Sequence, residues 1–490
     1  MAKRHRSYLF EMPYQVDAPI LTDQASGIDR VLLRCRPDRP VSTITLFDTT
    51  DERLSLAGVL LAHRVVDQRG EWLLRATDWQ PWLPEQYIEP LDAGDDLPED
   101  LGVLLSGFRR RAALGPVASV VVERACYVLL DAEGVELGEV RDDRVTVRRG
   151  GLAVARQRDV TFKPGDKITA LQRSVVIERL GEAGGAKVAE FIEPIERLTA
   201  ITHPVSSPPS PPQPSKISAE DYLAWLFTDR LHAVLRADLR VRKQDQPDTG
   251  LLADELTRAA DTVRGLDCLI DPAWASEFIW QIDKVVARPA RTNPAELGEA
   301  YFDALDLLAS AARAPRLRPV EDDGWPAETT EPGSARGLLR SCVRQQLTGM
   351  LASVDALSDD SGDQEWSAAL ERAQDLVRTL EAGEPVLGKV KGRVRRVSKL
   401  LAALGTTANR DLAADEATVS AMSPAEAYQA GRDYQRWLDQ VRTPRREFLE
   451  AWPKTRAKLL AEWPETTSPD QDEPPALPTA EPTPAQVTDE

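Results

Sequence analysis

Hydrophobic and polar residues follow one rhythm in the first two hundred positions and another in the rest. Runs rich in Val, Leu and Ile at 41–48, 58–66, 71–76, 119–130, 136–148 and 155–162 are separated by Gly, Asp and Pro, which predicts strands. Two stretches with helical spacing, 98–113 and 166–182, interrupt them. Many strands with little helix predict an antiparallel barrel or sandwich. Beyond residue 217 the strand signal stops. Tyr222, Leu226, Leu231, Leu235 and Leu239 outline one long amphipathic helix. Further helices are predicted at 251–269, 274–286, 296–312, 335–357, 366–380, 388–404 and 425–441, the last opened by a Ser423-Pro424 start signal. The expected fold class is therefore α+β, with an N-terminal antiparallel β-barrel and a C-terminal all-α helical bundle.

Composition places the joints. His203 to Lys216 holds six prolines in fourteen residues, a semi-rigid extended spacer, because proline fixes φ and lacks an amide donor. From Glu465 to Glu490 there are seven carboxylates and no Lys or Arg, which predicts a disordered acidic tail. The expected layout is thus a β domain over 1–202, a linker over 203–216, a bundle over 217–463 and a tail over 464–490. A chain of 490 residues exceeds one ordinary core, in keeping with two domains. The net charge of −18 argues against a general nucleic-acid binder, and about −11 remains once the seven tail carboxylates are subtracted. No run of about 18 apolar residues predicts a membrane span, and no apolar region follows the basic start as a signal peptide requires. Four cysteines lie far apart, without a C-x-x-C, so neither a zinc site nor a disulfide framework is expected. The resulting expectation is a cytoplasmic protein in a reduced state.

The segment Ile44 to Ala76 carries a resemblance. Its hydrophobic run ending in Phe47-Asp48-Thr49, then Asp51-x-x-Leu54, Gly58 and Arg64, resembles the CYTH family. That resemblance implies eight antiparallel strands closed into a triphosphate tunnel, whose inward Lys, Arg and Glu hold a triphosphate and its divalent metal. The second half resembles the CHAD family of polyphosphate-binding helical domains. The residues concerned are Tyr222-Leu223 through Val241-Arg242, Val263-Arg264-Gly265-Leu266-Asp267, Thr379-Leu380-Glu381, Leu404-Gly405, Gly431, Phe448 and Trp452. Together the two resemblances cover about 41–460 and imply a CYTH–CHAD fusion with a degenerate active site.

Alternation along a strand decides which residues could meet an anion inside such a tunnel. Where the family shows Leu-Arg-x-Arg, this chain has Leu61-Ala62-His63-Arg64. Trp-x-x-Lys becomes Trp72-Leu73-Leu74-Arg75, which keeps the charge but exchanges a point donor for a planar fork. Pro116-Val117-Ala118 is followed by Arg124. Arg64, Arg75 and Arg124 are accordingly the expected anion contacts of the tunnel. The acidic side is thinner. The family's opening Glu-x-Glu-x-Lys leaves only Glu11, and its closing Glu-x-Glu leaves Asp159 beside the neutral Gln157 and Thr161, with Glu139 a weaker third. Asp159 and Glu11 are the candidate ligands for Mg²⁺ or Mn²⁺, too few for tight binding against water. No other cofactor is expected.

In the helical half, only Arg264 keeps its place in the CHAD pattern, with Asp254 and Asp261 acidic nearby. One basic element stands out. Lys389, Lys391, Arg393, Arg395, Arg396 and Lys399 are six cations in eleven residues without an acid, beside a Val390, Val394, Val397 and Leu401 stripe. They form a candidate phosphate-chain contact or, more plainly, a solvated helix face. Arg109-Arg110-Arg111 reads as an ordinary helix end, and His63, alternating with Arg64, as an outward surface histidine. No P-loop, nucleophile elbow or dinucleotide fingerprint occurs.

Three functions remain. The first is non-catalytic binding of polyphosphate or another polyanion through Arg64, Arg75, Arg124 and residues 389–399. The second is a residual metal-dependent triphosphatase using Asp159 and Glu11. The third is a scaffold for a protein partner, using Trp79, Trp82 and the acidic tail. Neither a membrane nor a specific nucleic acid is an expected partner.

Overall fold

The structure is a computed structural model that describes residues 7–35, 41–66, 69–84, 86–90, 96–202, 217–243, 248–288, 297–318, 334–405, 422–461 and 463. The predicted linker 203–216 and tail 464–490 lie outside the described residues. The chain divides into two compact units, one of residues 1–210, 227–257 and 281–310, the other of 211–226, 258–280 and 311–490.

The first unit is organised by one antiparallel sheet of ten strands: β1 (Tyr8–Met12), β2 (Arg30–Cys35), β3 (Ser42–Asp48), β4 (Leu60–Val66), β5 (Arg69–Arg75), β6 (Gln86–Pro90), β7 (Gly115–Leu130), β8 (Glu136–Arg149), β9 (Leu152–Pro164) and β10 (Ala186–Val188). Their spatial order is β10-β1-β9-β8-β7-β3-β4-β5-β6, with β2 also paired to β7. The six predicted strands are all present. The predicted closure is not: among the described residues, β10 and β6 end the sheet without pairing to each other.

Short helices α1 (Arg53–Leu56), α2 (Glu99–Leu104) and α3 (Ser106–Arg109), then α4 (Ala170–Glu182) and α5 (Pro194–Thr202), accompany the sheet. Both faces are covered, because successive side chains point to opposite sides and both sets are apolar. On one face Ile44, Ala62, Leu73, Val120, Val122, Val145 and Val147 pack with Ile195 and Leu198 of α5. On the other, Phe10, Met12, Val140, Val160 and Phe162 pack with Val176 and Leu180 of α4. His63 does point away from Arg64, but toward Trp72 with ring centroids 5.2 Å apart, and is only 7% exposed. It is a buried histidine, not the surface one expected, because the second face is covered too.

The helical region runs α6 (Ala219–Arg242), α7 (Gly250–Gly265), α8 (Pro272–Val286), α9 (Gly298–Arg313), α10 (Ala335–Asp355), α11 (Asp363–Ala382), α12 (Glu384–Leu387), α13 (Lys391–Gly405) and α14 (Pro424–Leu460). Every helix predicted beyond residue 217 is found. Within the first unit, Arg110 ion-pairs with Asp306 at 2.6 Å, and Arg111 meets Glu299 at 2.5 Å and Asp303 at 2.6 Å. These two arginines therefore hold the acidic face of α9. None of the described helices is long and apolar enough to cross a membrane.

The second unit has its own core. Met350 and Val354 of α10, Trp366, Ala373 and Leu376 of α11, Val397 and Leu404 of α13, and Phe448 and Trp452 of α14 are buried together. Ser423 caps α14 in a reciprocal box with Glu426, which makes good the Ser423-Pro424 start signal. Cys268, just after α7, and Cys342 of α10 form a disulfide, with Cα atoms 6.3 Å apart and a sequence separation of 74. This bond departs from the reduced state expected of the cysteines, since a pair so distant leaves no local spacing signature.

Gly265 ends α7 where it meets α11. A Cβ there would lie 2.6 Å from the Arg378 carbonyl carbon, and the Gly265 carbonyl accepts a 2.6 Å hydrogen bond from Thr379 Oγ1. A methyl group at this point meets backbone, which cannot swing aside. Gly265→Ala should therefore destabilise the second unit by about 1–3 kcal/mol in chemical denaturation. Gly431→Ala, whose added Cβ meets nothing within 4 Å, should leave stability unchanged or raise it by up to about 1 kcal/mol.

Candidate functional site

The strand register places the tunnel candidates on one face of the sheet. Arg64 stands opposite Ile44 and Glu71, Arg75 opposite Leu60, and Arg124 opposite Asp143. Counting by twos along each strand, these positions share the side of Ala62, Leu73 and Val122, against which α5 packs. Glu11, Asp159, Asp143 and Arg124 form a single row across β1, β9, β8 and β7. Asp143 was missed in the sequence. Its alternation with Val145 and Val147 was the available signal, and Asp142 beside it serves the opposite face.

Every one of the three arginines already holds a carboxylate. Arg64 pairs with Glu71 across neighbouring strands. Arg75 lies 3.6 Å from Glu193 and 4.0 Å from Glu196, beside and on α5. Arg124 grips Asp143 with two bonds, Nε to Oδ1 at 2.6 Å and Nη2 to Oδ2 at 3.0 Å, and Arg141 reaches the same carboxylate at 3.1 Å. Asp159 accepts a 2.8 Å bond from Arg197 of α5. On this face Arg64, Arg75, Arg124, Arg141 and Arg197 thus stand against Glu11, Glu71, Asp143, Asp159, Glu193 and Glu196. Positive charge is not in excess. A strongly anionic ligand would have to displace carboxylates that occupy the same planar forks.

Of the acidic candidates, Asp159 is engaged by Arg197, whereas Glu11 is exposed. Asp159 is 7% exposed, and its burial raises the carboxyl pKa, an effect the Arg197 guanidinium opposes and Glu11 and Asp143 reinforce. Its Oδ1, the neighbouring Thr161 Oγ1 and Arg197 Nη1 are buried without a hydrogen-bond partner among the described residues. Hard divalent cations need several converging oxygens, whereas here guanidinia hold Asp143 and Asp159. Among the described residues, no group of three or more His, Cys, Asp and Glu side chains is arranged to hold a metal ion. As placed, this donor set does not fit Mg²⁺ or Mn²⁺. Glu139 lies on the same face, four residues along β8 from Asp143, and 3.4 Å from Arg34.

The basic element of the second unit divides in two. Arg393 stacks over the Trp463 ring at 5.3 Å, and Arg396 donates to the Lys458 carbonyl at 2.7 Å, so both brace α13 against the end of α14. Lys389, Lys391, Arg395 and Lys399 are exposed. Lys391 lies 3.7 Å from Glu384, while Lys389, Arg395 and Lys399 have no ion-pair partner among the described residues. Lys391, Arg395 and Lys399 recur every four residues, one above another along the helix at about 6 Å intervals. Beneath them, Val390, Val397, Leu400 and Leu404 are buried. Lys389, Lys391 and the backbone of Gly388 and Gly392 also line an open depression of about 460 Å³ at the start of α13.

Arg264 does not join this stripe. It pairs with Asp261 at 3.2 Å, and Arg378 takes the same carboxylate at 2.9 Å. Trp79, proposed as a docking residue, is 2% exposed, donates to the Ala57 carbonyl and stacks edge-on with Phe108 at 4.8 Å. It belongs to the core.

No family model and no curated protein matches the sequence. Among solved structures, a putative adenylyl cyclase from Hippeastrum, described as having a dominant triphosphatase activity, matches 40% of this chain and 94% of its own. The identity is 12% and the TM-score 0.17, too low to establish a shared fold or to transfer residue roles.

The raised carboxyl pKa of Asp159 has a defined sign. The folded state keeps that proton to higher pH than the unfolded state, so stability falls as pH rises above the ordinary carboxylate value of about 4. Asp159→Asn removes this dependence. The stability difference between variant and wild type, from urea melts at about pH 4 and pH 7, should shift in the variant's favour at the higher pH. A constant difference would show that the carboxyl titrates normally.

Proposed function

We propose that this chain is a non-catalytic polyanion-binding protein of CYTH–CHAD type, with inorganic polyphosphate as its ligand and α13 as its principal contact. The observation that carries the reading is the exposed Lys391–Arg395–Lys399 stripe, extended by Lys389, on a protein of net charge −18. A linear polyanion repeats its charge at short intervals. Cations stacked at one-turn spacing on a rigid helix meet several of those charges at once and release condensed counterions. The valine and leucine stripe beneath holds the helix in place, so the cations are presented without ordering a loop.

The arginine face of the sheet supports the non-catalytic part of the reading. Its guanidinia and carboxylates largely neutralise one another, and Asp143 and Asp159 are held by arginines rather than turned to a shared centre. Arg64, Arg75 and Arg124 then serve as a secondary contact, open to a phosphate chain only where Glu71, Glu193 and Asp143 give way.

Retention of long-chain polyphosphate tests this directly. The triple variant Lys391→Glu, Arg395→Glu and Lys399→Glu should lose about tenfold or more in affinity, and wild-type binding should weaken steeply between low and physiological salt. Arg64→Gln with Arg124→Gln should have a smaller effect. Binding unchanged in the triple variant would refute the assignment to α13. Steady release of phosphate from tripolyphosphate with Mg²⁺ or Mn²⁺, lost in Asp159→Ala, would replace it with the enzymatic reading.

A further inference from the structure

A partly enclosed cavity of the first unit lies on the face of the sheet opposite the arginine row. It holds about 220 Å³ beneath the loop between β1 and β2, where Ala18 to Thr22 form a strap over the sheet. Met12, Leu21, Val140, Val160 and Leu180 make most of its wall apolar. This is larger than the roughly 150 Å³ apolar cavity known in another protein to accept benzene.

One polar feature interrupts the wall. Arg158, 1% exposed, donates to both oxygens of Asp142, Nε to Oδ1 at 2.9 Å and Nη2 to Oδ2 at 2.7 Å, and Nη1 donates to the Val16 carbonyl. Asp142 is itself 6% exposed. A buried ion pair adds little stability over an apolar pair of the same shape, so fold energetics alone do not explain charges in this wall. The pair does suit recognition. Arg158 neutralises Asp142 and is itself engaged through three nitrogens, while each Asp142 oxygen accepts one bond and retains acceptor capacity. A ligand anion would face Asp142, and a ligand cation would face Arg158. A neutral molecule with one donor group escapes both penalties.

We propose that this cavity is a binding site for a small, neutral, mainly hydrocarbon molecule bearing a single N–H or O–H donor, which it offers to Asp142. Its body fills the apolar space between Val140, Val160 and Leu180, with Ile20 and Thr22 at the mouth. The proposal is independent of the polyphosphate reading, whose principal contact, α13, belongs to the other unit and whose secondary arginines lie on the opposite face of the sheet.

The test uses the full chain and indole as the probe, observed by saturation-transfer NMR. Indole should bind about tenfold or more tightly than its charged analogues indole-3-carboxylate and tryptamine. Val31→Trp and, separately, Ala18→Trp place a ring in the cavity from its partly exposed side, and each should abolish the signal while the urea unfolding midpoint stays at the wild-type value. Absence of indole binding would overturn the proposal, and so would equal binding by both tryptophan variants if they remain folded. A preference for either charged analogue would overturn the assigned chemistry. Agreement of the two variants guards against loss through misfolding of one.

Discussion

Guanidinium–carboxylate pairing on the sheet decides what the first unit can do. Arg124 with Asp143, Arg64 with Glu71 and Arg197 with Asp159 each bring opposite charges onto adjacent elements of a half-buried surface. Desolvation makes a lone charge costly there, so the pairs hold the face together while cancelling its field. Electrostatic attraction for a polyanion must then come from cations that remain in water. On α13 three such side chains lie along one line, with their hydrophobic support on the other side of the helix.

α5 ties these observations together within the first unit. Ile195 and Leu198 enter the apolar cluster between the strands, Arg197 binds Asp159, and Glu196, with Glu193 just before the helix, lies by Arg75. One nine-residue helix therefore contributes packing, a cation and an acid to the same surface. The opposite surface is built differently, with a small apolar chamber around a neutral pair, so the two sides of one sheet present unlike chemistries.

Much of the fold was legible because the two hydrophobic periods are distinct. Strands 41–48, 119–130 and 136–148 and the helices beyond residue 217 emerged from alternation and from 3.6-residue spacing. β1, β2, β6 and β10 did not. They are short, interrupted by Glu11, Arg30, Arg34, Glu89 or Lys187, and lie at or near edges where polar residues are the rule. In the candidate site, Arg64, Arg75, Arg124, Asp159 and Glu11 were named by resemblance to family motifs, and the strand register puts them on one face. Their partners were hidden, because Arg197 and Glu193 come from or beside a helix no periodicity announced, and Asp143 was masked by its acidic neighbour. The Cys268–Cys342 bond was hidden for the same reason, proximity in space without proximity in sequence.

Asp142 and Asp143 are consecutive, chemically identical, and committed to opposite sides of β8, one to Arg158 and the other to Arg124. Inserting or deleting one residue in this strand would turn it inside out. Each carboxylate would lose its own guanidinium, and Val145 and Val147 would be driven from the core. Point substitutions leave that parity intact. The middle of β8 thus accepts a like-for-like change of side chain more readily than a change in the chain's length.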